Sequence, residues 1–328
     1  MRFRHLSAAV LALALLAGCG SSDDSTSASD EAATRSFSAD NGTVEIPVNP
    51  QRVVATGYAV PALIEADAKL VGISSWKRGI PLMTPEDLAT YNELTKVAGE
   101  TAAETNYEAI AAAKPDLIVI GVPKPVLADI DLDRLKGIAP VVAIGPTIPD
   151  AWRTLSQKQA DAAGATEQFE KGKQAYEAKA AELKTKYASA LDSLKFGHVG
   201  GYGDISKGQF HREFAKSWGT NVAGDIGVTY YGQVKEPGEG SKAVSEYPSL
   251  EELSASLGEA DAITYTVQPD GTPSDSVQAV LDSPLWKNLK AVKAGKVFAI
   301  RYTEAATYPA ATKTLDAIDT AFAPLLAK

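Results

Sequence analysis

Asp116-Leu117-Ile118-Val119-Ile120-Gly121 is the most strand-like run in the chain. Four consecutive apolar residues, three of them β-branched, leave no polar face for solvent, which is the pattern of a strand covered on both sides in a parallel sheet. The helical stretch before it, 107–113, stops at Lys114-Pro115, because proline disfavours helical backbone in the residue that precedes it. Outward from this strand the same alternation repeats. Arg52-Val53-Val54-Ala55-Thr56 reads as a first strand, 61–69 as a helix with Ala62, Leu63 and Ala66 on one face, Leu70-Val71-Gly72-Ile73-Ser74 as a second strand and Val97-Ala98 as a short third. Ala139-Pro140-Val141-Val142-Ala143-Ile144 completes the group. Short strands alternating with alanine-rich helices predict a parallel sheet covered by helices.

Between Pro149 and Lys195 the strand signal disappears. Residues 150–163 read as one helix, Gly164 interrupts it, and 166–194, rich in Ala, Glu, Lys and Gln, read as another. The alternation then resumes, with strands at His198-Val199-Gly200, 261–265 and 296–300, helices at 210–218 and 276–282, and a closing helix at 310–326 that carries Leu315, Ile318, Phe322 and Leu325 at helical spacing. The fold class is α/β, two lobes with mostly parallel sheets joined by a single long helix.

At the other end of the chain, Leu16-Ala17-Gly18-Cys19 closes a short secretory leader. Arg2 and Arg4 give the positive region, 6–16 the apolar run, and Ala17-Gly18 the small residues before a peptidase cut. A cysteine directly after that cut resembles the lipobox of bacterial lipoproteins, whose thiol is diacylated and becomes the mature N-terminus. That resemblance makes Cys19 the lipid attachment site and predicts an extracytoplasmic protein anchored to the cell membrane. Cys19 is the only cysteine, so once acylated it leaves neither disulfides nor thiolate metal sites. Residues 20–38 carry almost no apolar side chains before Phe37 and read as a tether. The boundaries are then a leader at 1–18, a tether at 19–38, an N-terminal lobe at 39–148, a connecting helix at 149–165 and a C-terminal lobe at 166–328.

Composition narrows the function. The 328 residues are 45% hydrophobic and 22% charged, as in a globular protein, and a net charge of −9 argues against nucleic acid or anionic lipid as partners. Membrane contact comes from the lipid alone. After the leader only His198 and His211 remain, and no His-Glu-x-x-His, Gly-x-Ser-x-Gly or phosphate loop appears, so the chain reads as no enzyme. Zinc and manganese sites need several His and carboxylates together, which two distant histidines do not supply. His198 reads as packed within its strand and His211 as a surface or cap residue. Gly200-Gly201-Tyr202-Gly203 lacks dinucleotide-loop spacing and reads as a tight turn that brings Tyr202 toward a cleft.

Three segments resemble a known family. Thr43-Val44-Glu45-Ile46-Pro47 with 49–54 looks like its opening strand pair. Asn106-Tyr107-Glu108-Ala109-Ile110 running to Lys114-Pro115-Asp116-Leu117-Ile118 looks like its helix–strand signature, and Ser283-Pro284-Leu285-Trp286-Lys287 with 291–297 like its C-terminal motif. The family is the substrate-binding lipoproteins of bacterial ABC importers for ferric siderophores, haem and cobalamin, and within it the chain is most like the ferric hydroxamate (ferrioxamine-type) binders. The resemblance implies the class III periplasmic-binding-protein fold, a monomer, and an ABC permease with its ATPase as partners.

In doubly wound folds the ligand meets the loops at the carboxyl ends of strands. There the chain places Trp76-Lys77-Arg78, Tyr202, Tyr265 and Arg301-Tyr302, with Tyr230-Tyr231 in a glycine-rich loop. A ferric trihydroxamate suits that combination. Its iron is already sixfold coordinated by its own oxygens, so the protein supplies no cofactor and no metal ligand. It supplies apolar walls and one or two guanidinium forks, expected here from Arg78 and Arg301. A triply negative catecholate calls for a denser basic cluster, which Lys77 and Lys124 keep open; haem and cobalamin remain alternatives, as does a sensor or co-receptor that reports ligand. Family members place one glutamate on the first helix of each lobe for contact with the permease. The aligned positions here are Ala62 and Lys216, so Glu65 and Glu213, one helical turn away, become the expected docking residues.

Overall fold

The computed structural model describes residues 33–326; the leader, Cys19 and most of the expected tether lie outside them. The described chain begins as a hairpin, β1 (Thr34–Ala39) antiparallel to β2 (Gly42–Pro47), so residues 34–38, expected as tether, form a strand. Tertiary contacts explain it. Phe37 and Ile46 are buried in the first lobe, Arg35 donates to the Asp161 carboxylate at 3.0 Å, and the Asn41 side chain bonds Val141 O and Ala143 N. The partner strand is next in sequence, but the contacts that hold the hairpin on the lobe come from 100 to 126 residues away and leave no local signal.

Five parallel strands form the first sheet, in the order β5 (Lys96–Ala98), β4 (Leu70–Ser74), β3 (Val53–Gly57), β6 (Leu117–Gly121), β7 (Val141–Ala143). Every residue of β6 is buried, as its unbroken apolar run requires. Helices α1 (Ala59–Glu65), α2 (Pro85–Glu93), α3 (Tyr107–Ala112) and α4 (Leu132–Lys136) complete the lobe. The strand order reverses between β3 and β6, and a crevice opens beyond the carboxyl ends of strands at such a switch point. Two glycines bring the chain together there. Gly57 takes φ +60°, and a Cβ on it would lie 2.7 Å from Gly121 O; one on Gly121 would lie 2.3 Å from Ala59 N. Only glycine fits both places. The turn they permit sets Tyr58 in the lining of the crevice.

The connection is α5 (Trp152–Ala162), then Gly164 at φ +67°, then α6 (Thr166–Leu191). Helix α5 touches both cores: Trp152 packs edge-on to Tyr308 at 4.9 Å in the second lobe, whereas Ala162 and Ala163 are buried in the first. The longer α6 lies on the second lobe, burying Phe169, Tyr176, Leu183 and Tyr187 against α12 (Tyr308–Phe322), which follows α7 (Asn221–Asp225), α8 (Leu253–Leu257), α9 (Asp275–Asp282), α10 (Pro284–Lys287) and α11 (Lys290–Lys293).

The second sheet is mixed. Parallel strands β8 (Lys195–Gly200), β12 (Ala262–Thr266) and β13 (Val297–Ile300) carry its centre, β10 (Thr229–Tyr230) joins β8, and β9 (His211–Glu213) runs antiparallel to both β8 and β11 (Ser245–Glu246). Strand β9 corrects the helix expected over 210–218. Its three polar residues are buried, and Arg212 donates to the carbonyls of His198, Glu213 and Tyr231 at 3.2, 2.6 and 3.1 Å. A buried guanidinium needs such acceptors, and they come from two other segments, so helix propensity does not decide the conformation.

Candidate ligand-binding site

Two adjoining cavities of about 180 and 260 Å³ lie between the carboxyl ends of the strands and share Arg78, Leu82, Tyr202 and Glu304. Together, not singly, they reach the roughly 300–1,000 Å³ of a small-molecule site. The first lobe gives Tyr58 after β3 and Trp76 and Arg78 after β4. The second gives Tyr202 after β8, Thr266 at the end of β12, Tyr302 and Glu304 after β13, and Trp218. The walls are aromatic. Trp76 meets Tyr58 edge-on at 4.7 Å, and the Arg78 guanidinium lies over Trp76 at 4.4 Å and Tyr58 at 5.5 Å. Stacking and a 3.7 Å ion pair from Nε to Glu100 hold the fork in place, and among the described residues its terminal nitrogens make no hydrogen bond, so they stay available to a ligand. Tyr302 holds φ +62°, a left-handed conformation that a tyrosine adopts only when its surroundings impose it; Thr314 donates to its carbonyl at 2.5 Å.

Two carboxyl groups face the same space. Glu304 accepts a hydrogen bond from the Tyr202 hydroxyl. Burial, reinforced by that carboxylate, pushes the Tyr202 phenol upward, so Tyr202 remains a donor. At the cleft floor Glu65 has one buried carboxyl oxygen with no hydrogen-bond partner. Burial pushes Glu65 up to about 8, against the lowering by Thr307 and with a small push from Asp87. At neutral pH burial favours the protonated acid, whose hydroxyl can donate a hydrogen bond to a ligand oxygen.

Of the residues singled out from the sequence, the structure brings Trp76, Arg78, Tyr202 and Tyr302 together around the cavities. Lys77 and Arg301 are outside both linings; Arg301 lies over the Tyr302 ring at 5.7 Å. Tyr230 is buried with its hydroxyl 2.9 Å from Thr264 Oγ1, Tyr231 donates to Ser256 O, and Tyr265 packs on Trp286. None of the three lines either cavity; Tyr230 is buried in the second lobe, and Tyr231 and Tyr265 are half-buried against it. Both docking assignments are corrected. Glu213 is 2% exposed and lies in a strand, and the Glu65 carboxyl points into the cleft, so neither is displayed to a partner.

Glu213 instead anchors a polar core behind the cleft wall. It accepts from Ser217 Oγ at 2.8 Å and Gly219 N at 2.9 Å, and its Oε2 lies 3.1 Å from His198 Nε2. Burial raises the Glu213 carboxyl, but His211, His198 and the Ser217 hydroxyl outweigh it and hold it at about 2. His211, expected at the surface, is buried and stacked on Tyr247 at 4.8 Å; desolvation pushes its imidazole downward. Through Thr266, 3.2 Å from His198 Nε2, this core touches the cleft. Among the described residues no group of three or more His, Cys, Asp or Glu is arranged to hold a metal ion.

Tyr58, Glu65 as a cleft residue, Trp218 and Glu304 escaped the sequence reading. Tyr58 follows the first strand directly and obeys the strand-end rule that found Tyr202. Trp218 follows no strand end, and its place depends on the turn through Ser217 and Thr220.

A model of a family described as periplasmic binding protein matches residues 53–302. The iron(3+)-hydroxamate-binding protein YxeB of Bacillus subtilis is 29% identical over 300 residues, covering 88% of this chain and 86% of its own. The probable siderophore-binding lipoprotein YfiY of the same organism is 28% identical over 328 residues, covering 95% of each. Among solved structures, the siderophore periplasmic binding protein from the fuscachelin gene cluster of Thermobifida fusca superposes with a TM-score of 0.67 at 29% identity, covering 84% of this chain and 97% of that one.

Proposed function

The chain belongs to the periplasmic binding protein family, and we propose that its interlobe cleft captures a ferric siderophore of the hydroxamate type for delivery to an ABC importer. The fold is the class III form, two α/β lobes with a helical connection, and the protein binds rather than catalyses. The observation that carries the reading is the cleft itself: aromatic walls from both lobes around one stacked guanidinium, Arg78. A ferric trihydroxamate has apolar methylene chains for such walls and oxygens for such a fork, and it brings its iron fully coordinated. Names given to two relatives, one for iron(3+)-hydroxamate and one for siderophore binding, point the same way. A triply negative catecholate meets only one cation among the side chains that line the cavities.

We further propose that Cys19 carries the lipid that holds the protein at the outer face of the cell membrane. A Cys19→Ser variant should leave the membrane fraction; one that stays would contradict the anchor. Tryptophan-fluorescence titration against ferric trihydroxamates, ferric catecholates, haem and cobalamin tests the ligand. Trp76 and Trp218 line the cleft, so saturable quenching by trihydroxamates alone supports the proposal. Saturation by another class, with none from trihydroxamates, overturns it.

A further inference from the structure

The Lys, Arg, Asp and Glu side chains that line the two cavities are Arg78, Glu65 and Glu304, of which Glu65 is the protonated acid described above. Arg78 already has a carboxylate of its own in Glu100, 3.7 Å away. Glu304 has no such partner: among the described residues no Lys, Arg or His nitrogen lies within the 4.0 Å of an ion pair. It borders both cavities, its carboxylate is fixed by the Tyr202 hydroxyl, and the Tyr58 and Trp76 rings share the same wall. Arg78 lines the same two cavities but stands beyond ion-pair distance of Glu304, so the carboxylate has no cation in contact, and burying it under a ligand is costly unless the ligand brings a complementary charge to it.

Resting on the hydroxamate reading, we infer that the cleft selects ferric trihydroxamates that bear a protonated amine, and that Glu304 receives this ammonium. The ferric trihydroxamate centre is itself neutral, so the charge that distinguishes one such complex from another sits on its pendant groups. Arg78 then faces hydroxamate oxygens from the first lobe while Glu304 faces the ammonium from the second. The pairing fixes the orientation of the ligand and rejects complexes with pendant carboxylates, because like charge next to Glu304 is unfavourable.

The test compares a linear ferric trihydroxamate that ends in a primary amine with its N-acetylated derivative, by equilibrium titration at low and high salt. The native protein should bind the amine form at least about tenfold more tightly, and salt should narrow the gap. In Glu304→Gln, with folding checked by circular dichroism, the ratio between the two forms should fall close to one. Equal affinity of the native protein for both forms overturns the inference while leaving hydroxamate binding in place, and this arm needs no variant. A preference that survives Glu304→Gln moves the ammonium elsewhere and also overturns it. If neither form binds, the hydroxamate reading fails and the inference falls with it.

Discussion

Tyr58 and Trp218 come from opposite lobes, yet their rings lie parallel, 6° apart in plane, with centroids 6.1 Å apart. Tyr58 is fixed by the glycine turn after β3, and Trp218 by the Ser217–Thr220 turn beside the buried Glu213. The cleft therefore has a floor built jointly by the two lobes, and a ligand seated on it contacts both at once.

Trp218→Ala should weaken ferric trihydroxamate binding by about 1.5–3 kcal/mol, the loss expected when a large aromatic contact is removed from a desolvated site. Isothermal titration calorimetry reads this directly. Unchanged affinity would remove Trp218 from the ligand's footprint.

Arg78 and Arg301 separate cleanly. Arg78 lines both cavities and Arg301 neither, so Arg78→Ala should cost about 1.5–3 kcal/mol of binding free energy through lost charge-assisted hydrogen bonds. Arg301→Ala should cost less than about 1 kcal/mol. The reverse ranking would put the ligand on the outer rim of the second lobe.

Glu65 gives the unliganded protein a pH dependence with a definite sign. Its carboxyl is held at about 8 by burial, far above the value of an unfolded chain. Between those two values the folded state keeps a proton that the unfolded state releases. The stability linked to this group is fully present below about pH 4, falls as pH rises, and is gone above about pH 8, a span on the order of 5 kcal/mol. Glu65→Gln should abolish that component, so chemical denaturation at pH 6 and pH 8.5 should show a smaller loss in the variant. An equal loss in both proteins would assign the dependence to other groups.

The two lobes should move little on binding. Helix α5 has one end in each core, Lys313 of α12 donates to Pro81 O across the cleft at 2.6 Å, and Asp150 N donates to Lys216 O at 3.2 Å. Bending α5 at mid-length would break several of its i→i−4 hydrogen bonds. Small-angle scattering with and without ligand should give radii of gyration within about 1 Å. A clear compaction would contradict a stiff connection.

The parts of this architecture legible in the sequence are those set by local pattern. The run 117–121, the strands read at 52–56, 70–74, 139–144, 198–200, 261–265 and 296–300 and the helical stretch 150–163 follow from periodicity and from where proline and glycine fall. What escaped is set by distant partners. Strand β1 is held on its lobe by Asp161, and β9 depends on acceptors for Arg212 from β8 and the 230 loop. Glu65 and Glu213 are charged residues in the interior, against the ordinary rule for their type. For the site, looking for aromatics at strand ends found Tyr202 and Tyr302 and would have found Tyr58. It also pointed to Tyr265, which lines neither cavity and packs on Trp286, because a position at a strand end does not tell what the side chain packs against.

The position of iron in crystals of the complex tests the central claim most directly. Anomalous scattering at the iron edge, from crystals grown with a ferric trihydroxamate, should place one iron between Tyr58, Arg78, Tyr202 and Glu304, with all six ligand oxygens supplied by the siderophore. Iron bonded to a protein side chain, or found outside this cleft, would contradict the account.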